Sequence, residues 1–359
     1  LAPKAMQSFN LLSIGGTLSA NAHGIAHNPG QVAPTVRSFR VMLSDGEIKT
    51  ASRDENPELF KLVLGGYGLF GVILDAQIEV TENEVYVWKT KYMDYKDFSD
   101  YYRNHIKQND QIGLMYGRLS IAPHSYLKET VVHTYEKTAF MKGIPPLQLD
   151  ESTWLNRLVL NFSKTGSLGR WTRWMLEKYI EPKLHNCISR NQAMNQREIC
   201  LVSRNQQMYN SMAYLKNRLR DTDILQEYFI PPTNMSLFVE GLKPIIQKNR
   251  ANLLNVTIRV VPKDTISALP YAKDDRFAFV LYFNQKLNEE ESKILEKTTK
   301  ELIDLAISLE GTFYLPYQLH YSNDQLHRAY PEIENFFEKK KEYDPELLFS
   351  NTFYEKYSR

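Results

Sequence analysis

Two strand–helix–strand patterns, separated by a helical segment, restrict the architecture that this chain can adopt. The first pattern begins at Val85 and the second at Leu225. Residues from about 150 to 220 lie between them, lack strand-like alternation and hold three of the four Trp residues. Strands and helices in this order are typical of an α+β domain. We therefore expect one large sheet covered by helices, with a helical insertion at about 150–220.

Apolar periodicity predicts the individual elements. We expect strands at 38–43, 47–51, 71–80, 112–121, 129–135, 225–230, 255–261, 277–283 and 312–320, and one that starts near 85. We expect helices at 57–64, 95–107, 236–248 and 289–309, and a helical tail from 323. Asn288 is the expected N-cap of the helix at 289–309, because an Asn side chain can accept a hydrogen bond from the first helical turn.

Charge and cysteine content exclude several classes of protein. The 359 residues include 44 Lys and Arg against 42 Asp and Glu, a net charge of +2, so we expect no nucleic-acid partner. Cys187 and Cys200 form no disulfide framework, and neither they nor the eight His show a metal-binding spacing, so we expect no metal. No apolar run reaches the roughly 20 residues that span a bilayer. We expect a cytoplasmic protein.

A basic stretch that contains Trp, at 169–183, has two interpretations. It can lie on a membrane surface, with its Arg and Lys residues near the headgroups. The alternative is a helix whose Trp side chains pack internally while the charged residues face water. We expect the second arrangement, with peripheral membrane contact as the less favoured alternative.

A polar, glycine-containing segment, SIGGTLSANAHG, occupies Ser13 to Gly24. Adjacent glycines allow the backbone to approach a ligand closely. Backbone N–H groups together with hydroxyl side chains suit a pyrophosphate or the polar edge of a flavin ring. The segment therefore predicts a ligand-binding loop, and the alternative is a polar turn between two strands.

Gly66, Gly68 and Gly71 match the GxGxxG spacing of dinucleotide-binding proteins. That fingerprint requires a strand before it and a helix after it. Here the predicted helix comes before the glycines and the predicted strand comes after them. The sequence therefore argues against a Rossmann fold and against NAD binding at these glycines.

The first 80 or so residues resemble the FAD-linked oxidases of the vanillyl-alcohol-oxidase type, which have the PCMH-type FAD-binding fold. The resemblance is continuous through SIGGTLSANAHG and SFRVMLSDGEIKTASRDENPELFKLVLGGYGLFGVILDAQIEV. Later segments are similar to the sugar-alcohol, aldonolactone and decaprenylphosphoryl-ribose oxidase branch: LQEYFIP, LNVTIRVVP, GTFYLPYQLH and the C-terminal AYPEIENFFEKKKEYDPELLFSNTFYEKY.

This resemblance implies a division of the chain into three parts. Residues 1–82 form the second lobe of a PCMH-type FAD-binding domain, and residues 83–322 form a substrate domain with a large antiparallel sheet covered by helices. Residues 323–359 return to the FAD domain. Members of the family also carry a first, N-terminal FAD lobe. Because this chain starts at Leu1 and reaches the glycine segment within a few residues, we expect that lobe to be a missing partner of the site.

The resemblance also assigns residues to the cofactor and to the substrate. The cofactor-binding residues are expected to be Gly15, Gly16, Thr17, Ser19, Asn21, His23, Gly24, Gly66, Gly71 and Ile73. The catalytic candidates are Glu227, Tyr314, Tyr317, Arg259 and His320. Glu227, or a Tyr beside a cation such as Arg259, is the expected base. Tyr317 stands where the decaprenylphosphoryl-ribose oxidases have a lysine.

The expected function is an FAD-dependent oxidoreductase that acts on a small-molecule substrate. It oxidises a CH–OH group of a sugar, polyol, lactone or hydroxy acid by hydride transfer to flavin N5, while a side chain removes the hydroxyl proton. One alternative is a lipid-linked sugar oxidase or a C=C reductase with the same fold. A truncated, non-catalytic binding module is another.

Overall fold

The computed structural model describes residues 1–7, 13–82, 84–137, 154–180, 187–189 and 220–358, with the backbone alone at 85, 154–156 and 187–189. The N-terminal part forms a three-stranded antiparallel sheet and a two-stranded one. Its strands are β1 (Ala2–Pro3), β2 (Val36–Met42), β3 (Ile48–Ser52), β4 (Val72–Ile78) and β5 (Val80–Thr81). Its helices are α1 (Ile14–Ser19) and α2 (Pro57–Val63). The predicted order of helix, glycines and strand at 57–78 is therefore confirmed.

An eight-stranded antiparallel sheet forms the centre of the remaining described chain. Its strands are β6 (Val85–Asp94), β7 (Ile112–Leu119), β8 (Glu129–Lys137), β9 (Cys187–Ser189), β10 (Asp221–Ile230), β11 (Leu253–Val261), β12 (Arg276–Lys286) and β13 (Thr312–Phe313). They lie in the order β13-β10-β12-β11-β7-β8-β6-β9. The expected large antiparallel sheet is confirmed.

Each predicted strand–helix–strand pattern forms the same arrangement. Helix α3 (Tyr95–Tyr101), extended by a π-helical turn at Tyr102–Ile106, connects β6 to β7, and β8 then inserts between these two strands. Two further helices follow, α4 (Trp154–Ser163) and α5 (Ser167–Tyr179). Helix α6 (Met235–Asn249) connects β10 to β11, and β12 inserts between them. Strands that flank a shared antiparallel neighbour run parallel to each other, as a connection through one helix requires.

The two faces of the large sheet have different chemistry. Apolar side chains such as Tyr228 and Phe279 point towards α6, where their rings lie 5.8 Å and 4.8 Å from that of Phe238. The opposite face is polar, because the register aligns Glu227, Val280, Thr257 and Arg118 across four neighbouring strands. Buried polar groups need partners. This polar face is therefore the part of the sheet that is suited to a functional site.

The C-terminal part is helical, as expected. Asn288 caps α7 (Glu289–Ser308) by accepting a hydrogen bond from the backbone of Glu291. Three shorter helices follow: α8 (Asn323–Ala329), α9 (Ile333–Tyr343) and α10 (Thr352–Tyr357). The tail packs on the N-terminal part, where Phe336 lies 5.1 Å from Phe70 and the Asn351 amide donates to the Tyr67 carbonyl. The domain boundaries themselves stay a prediction.

Two sequence-based expectations were wrong. Ser13 to Gly24 is not loop throughout, because the Ser13 side chain accepts from the Gly16 N–H and caps α1. The strand expected at 312–320 ends at Phe313, and the chain then turns, with the Tyr317 N–H donating to the Tyr314 carbonyl at 3.4 Å. A proline such as Pro316 has no N–H to donate to a neighbouring strand.

The predicted helical insertion lies partly within the described residues. The helical insertion is confirmed at 154–163 and 167–179, and a strand lies at 187–189. The rest of that segment, including Cys200, lies outside the described residues. No helix in the described ranges is both long and apolar enough to cross a membrane.

Candidate functional site

A buried carboxylate and a buried imidazole meet on the polar face of the large sheet. Strand β10 positions Glu227, and the segment after α1 positions His23. Nε2 of His23 lies 2.8 Å from Oε1 of Glu227, and each side chain is only 2% exposed. The Tyr317 hydroxyl donates to Oε2 of the same carboxylate at 3.4 Å. The structure thus joins one residue expected at the cofactor to two expected at the substrate.

The Glu227 carboxyl is held in its ionised form. Burial raises its pKa, but His23 opposes that effect by charge and hydrogen bonding, and the charge of Arg259 and the Tyr317 hydroxyl add to the opposition. The net effect is a pKa below the usual value for Glu. The carboxylate is therefore ionised and available as a hydrogen-bond and proton acceptor, although the contacts that lower its pKa also lower its affinity for a proton.

Three aromatic rings enclose His23. The ring centroids of Phe229, Tyr271 and Tyr314 lie 5.5, 5.8 and 6.0 Å from the imidazole. The Tyr271 hydroxyl donates to the Asn21 carbonyl at 2.6 Å, and the Tyr314 hydroxyl donates to the Ala20 carbonyl at 2.7 Å. These bonds fix the segment that carries His23 against the large sheet.

Neither candidate tyrosine has the lowered pKa that a tyrosine base needs. Burial raises the pKa of Tyr314 well above the usual value for tyrosine, and it also raises that of Tyr317, to which Glu227 adds. Both phenols are therefore neutral near pH 7. A catalytic role for Tyr314 or Tyr317 stays a prediction, and the geometry favours Glu227.

Arg259 and His320 are placed differently from each other. Arg259 lies on the same face of the sheet as Glu227, close enough for its charge to lower the pKa of that carboxyl. His320 interacts instead with Gln318, at 2.8 Å, and with the charges of Glu296 and Lys356. Of the five catalytic candidates, His320 is the one that the structure does not bring to the Glu227 group.

The glycines of the candidate cofactor segments have different environments. Gly15 and Gly16 are partly exposed, and a Cβ added at Gly15 would come no closer than 4.0 Å to a neighbouring atom. Cβ atoms at Gly24 and Gly66 would lie 2.1 and 1.9 Å from the carbonyl oxygens of Met6 and Leu62. Gly24 and Gly66 are thus required by packing within the chain, whereas Gly15 leaves room for a ligand and a Cβ at Gly16 would lie 3.3 Å from the Ser13 hydroxyl.

The remaining cofactor candidates also include partly exposed residues and residues that make contacts within the chain. Thr17 and Ser19 are partly exposed on or beside α1. Asn21 is buried and used internally, because its oxygen accepts from the Ala33 N–H and its NH₂ group donates to Asp264. Among the rest, Gly71 has a φ of +142° and approaches Met42, and Ile73 packs against the core. Cofactor contacts at all ten positions stay a prediction.

Two site residues were not anticipated from the sequence. Tyr271 stacks on Phe229 with the ring centroids 4.4 Å apart, and Asp264 accepts from the backbone N–H groups of Ile266 and Ser267 as well as from Asn21. An Asp followed by Thr and Ile-Ser is a recognisable turn signal, but nothing in it indicates the contact with Asn21. In the described ranges, no cluster of His, Cys, Asp and Glu could hold a metal ion.

Comparison with known proteins finds cytokinin dehydrogenases among the relatives of this chain. No protein-family model matches the chain. Cytokinin dehydrogenase 3 of Arabidopsis thaliana is 23% identical over 368 residues, which cover 98% of this chain and 67% of the relative. Cytokinin dehydrogenases 1 and 5 of the same plant are 37% and 41% identical over 105 and 81 residues, which cover 18% and 15% of those relatives.

These matches test the cofactor and the enzyme class that were expected from the sequence. Cytokinin dehydrogenases are FAD-binding flavoproteins and oxidoreductases, so the expected cofactor, FAD, and the expected class of FAD-linked oxidase are confirmed at that level. The sugar-alcohol oxidase branch receives no specific support.

Proposed function

We propose that this chain supplies the substrate side, and one side of the cofactor site, of an FAD-dependent oxidoreductase. The observation that carries the proposal is the buried pair of His23 and Glu227. It joins the glycine segment, which the resemblance places at FAD, to the strand that the resemblance places at the substrate. The similarity to flavoprotein dehydrogenases supports the same conclusion.

The residues present fit a flavin. Gly15 and Gly16 offer a partly exposed backbone, and Thr17 and Ser19 add hydroxyls, so these four residues would hold FAD. Nδ1 of His23 is buried and has no hydrogen-bond partner among the described residues, which is unusual unless a bound group supplies one. When bound, FAD would accept hydride from the donor carbon.

The protein's part of the reaction is proton removal. Glu227 would accept the proton from the N–H or O–H group next to the donor carbon. His23 and Arg259 favour the ionised carboxylate before the reaction, and the aromatic side chains around His23 exclude water. Exclusion of water strengthens these electrostatic interactions.

The donor is proposed to be a small molecule with hydrogen on a carbon next to nitrogen or oxygen. Amines are the first class to test, because the relatives oxidise cytokinins and cytokinin oxidation acts on amines. The CH–OH donors expected from the sequence, namely a sugar, polyol, lactone or hydroxy acid, are the second class. A carboxylate such as Glu227 can accept a proton from either group, so its presence does not discriminate between them.

A lipid-linked donor is a second candidate that one observation favours. Helices α4 and α5 expose Leu168, Trp171 and Phe162 by 67%, 42% and 41%. Exposed apolar side chains close together often mark a contact with lipid or protein. Trp174, by contrast, is buried and donates to Glu129, as expected for internal packing.

The first FAD lobe remains a proposed partner. Ile14, Val72 and Leu74 are exposed by 64%, 45% and 43%, and α1 packs against β4. Val72 and Leu74 share one face of β4, which is an edge strand of its three-stranded sheet. An apolar edge of this kind is normally covered, and a first FAD lobe would cover it.

The test uses the full-length protein loaded with FAD. A flavin-reduction screen of amines, polyols, lactones and hydroxy acids first identifies a donor. Glu227→Gln should then slow single-turnover flavin reduction by about 100-fold or more with FAD content unchanged, because it removes the proton acceptor. Glu346→Gln, an exposed change of the same kind, is the control. Reduction of the Glu227→Gln variant at the wild-type rate would show that the base lies elsewhere.

A further inference from the structure

Arg259 is a half-buried cation without a direct acceptor in the described chain. It lies on β11, two residues from Thr257, and therefore on the polar face that carries Glu227. Its Nε is buried and has no hydrogen-bond partner, and no described carboxylate forms an ion pair with its guanidinium. A buried N–H donor without a hydrogen-bond partner is unfavourable unless a bound group supplies one. The Arg259 guanidinium therefore lacks an acceptor of the kind that neighbouring arginines have.

Neighbouring arginines show the contrast. Arg118, also on the polar face, pairs with Glu177 of α5 at 3.0 Å. Arg173 of α5 donates to the Leu254 carbonyl at 3.2 Å, and Arg170 donates to the Asn252 side chain at 2.6 Å. Each of these arginines has an acceptor within the chain for a terminal nitrogen, although the Nε atoms of Arg118 and Arg170 are also buried and donate no hydrogen bond. Arg259 differs from them by lying beside the candidate site.

The register sets the separation between Arg259 and Glu227. Glu227 pairs with Val280 on β12, and Arg259 pairs with Ala278 of the same strand. The two charged residues are therefore two strands apart and offset by two residues along the sheet, which places their backbones about 12 Å apart. Ala278 lies directly between Phe229 and Arg259 and contributes only a methyl group. Glu227 already interacts with His23 and Tyr317, so it is not the direct acceptor for the guanidinium.

We propose that Arg259 binds an anionic group, a carboxylate or a phosphate, on the electron-donating substrate. This inference rests on the proposed function and makes it more specific: the donor is an acid whose reacting carbon lies next to Glu227 while its anionic end reaches Arg259. A guanidinium binds either anion through paired, charge-assisted hydrogen bonds.

The first experiment measures binding and does not depend on turnover. The full-length, FAD-loaded protein is titrated calorimetrically with benzoate, phenyl phosphate and uncharged benzamide. The wild type should bind at least one of the two anions more tightly than benzamide. Arg259→Met should weaken binding of that anion by about 10- to 100-fold, because a hydrogen bond to a charged group is lost. The affinity for benzamide should not change. The preferred anion identifies the source as carboxylate or phosphate.

Two further variants keep the test decisive. Arg259→Lys retains the charge without the paired donors and should lose less affinity for the anion than Arg259→Met does. The control is Arg37→Met, because the Arg37 side chain is 71% exposed. This variant should bind the anion and benzamide with the wild-type affinities. Circular dichroism and FAD content show whether each variant folds. If Arg259→Met fails to fold, the comparison of Arg259→Lys with the wild type decides.

The results distinguish this inference from the proposed function. If the anions bind no better than benzamide, or if their affinity does not respond to Arg259, the inference is wrong even where a donor reduces the flavin. If anion binding depends on Arg259 but no amine, alcohol or acid reduces the flavin, the anion site stands and the proposed function fails. When both hold, Arg259→Met should raise KM for the acidic donor by a larger factor than KM for its neutral amide.

Discussion

His27 is a buried histidine that makes folding sensitive to acid. Its side chain is 6% exposed, and burial lowers its pKa to about 4, although the charge of Asp110 acts in the opposite direction. Between pH 4 and about 6.5 the unfolded chain therefore binds more protons at this position than the folded chain does. The free energy of unfolding should fall as the pH drops through this window, by about 3 kcal/mol over the full range.

A substitution separates this effect from those of other groups. His27→Gln should flatten the dependence of the unfolding free energy on pH between 4 and 6.5, as measured by urea denaturation at several pH values. His105→Gln removes an exposed histidine and should leave the wild-type slope. Equal slopes for His27→Gln and the wild type would contradict the assignment of the acid sensitivity to His27.

At the same scale, the sequence predicted the members of the site but not their contacts. His23 and Glu227 were both selected, yet one was assigned to the cofactor and the other to the substrate. Their contact at 2.8 Å depends on how the segment after α1 meets β10. Local pattern carries no information on such a long-range contact. Tyr271 was missed for the same reason, since its ring and hydroxyl act on residues far away in the sequence.

Helix α5 is held on the large sheet by buried ionic contacts, and removing one should be costly. Glu177 is 6% exposed and pairs with Arg118, which is 3% exposed. Glu177→Leu should lower the free energy of unfolding by about 3 kcal/mol, because it takes the ion-pair partner from a buried guanidinium. Chemical denaturation measures this loss. The double variant Glu177→Leu with Arg118→Met should be more stable than Glu177→Leu alone, and a purely additive result would argue against the pair.

At the scale of elements, strands with clear alternation and helices with caps were predictable. The boundaries of α7 follow from Asn288 and the apolar period that comes after it. The strand at 312–320 was overextended because alternation was given more weight than Pro316. Helix α1 was missed because two glycines disfavour a helix, and the capping bond of Ser13 is the signal that indicates it.

The sheet order was beyond the sequence patterns. Both strand–helix–strand runs were predicted, but alternation is the same whether β8 lies between β6 and β7 or at an edge. The polar face depends on that order. Glu227, Thr257 and Arg118 are on three strands, and only the register through β12 brings them to one surface.

Across the whole molecule, Tyr271 and Tyr314 connect the N-terminal part to the polar face of the large sheet. Each donates a hydroxyl hydrogen bond to a carbonyl of the segment that carries His23. Tyr271→Phe and Tyr314→Phe should each lower the free energy of unfolding by about 1–2 kcal/mol, because a carbonyl loses its donor. In the FAD-loaded full-length protein, each should also slow flavin reduction, by less than Glu227→Gln does, since His23 is no longer held firmly beside the carboxylate.

A matched control distinguishes loss of stability from loss of positioning. The Tyr357 hydroxyl donates to the Tyr321 carbonyl at 2.7 Å, a bond of the same kind within the C-terminal part. Tyr357→Phe should therefore lower stability by a similar amount and leave the rate of flavin reduction unchanged. Urea denaturation and stopped-flow reduction on the three variants provide the comparison. If Tyr357→Phe slows reduction as much as Tyr271→Phe and Tyr314→Phe do, the effect is one of general stability, and the two tyrosines do not position His23.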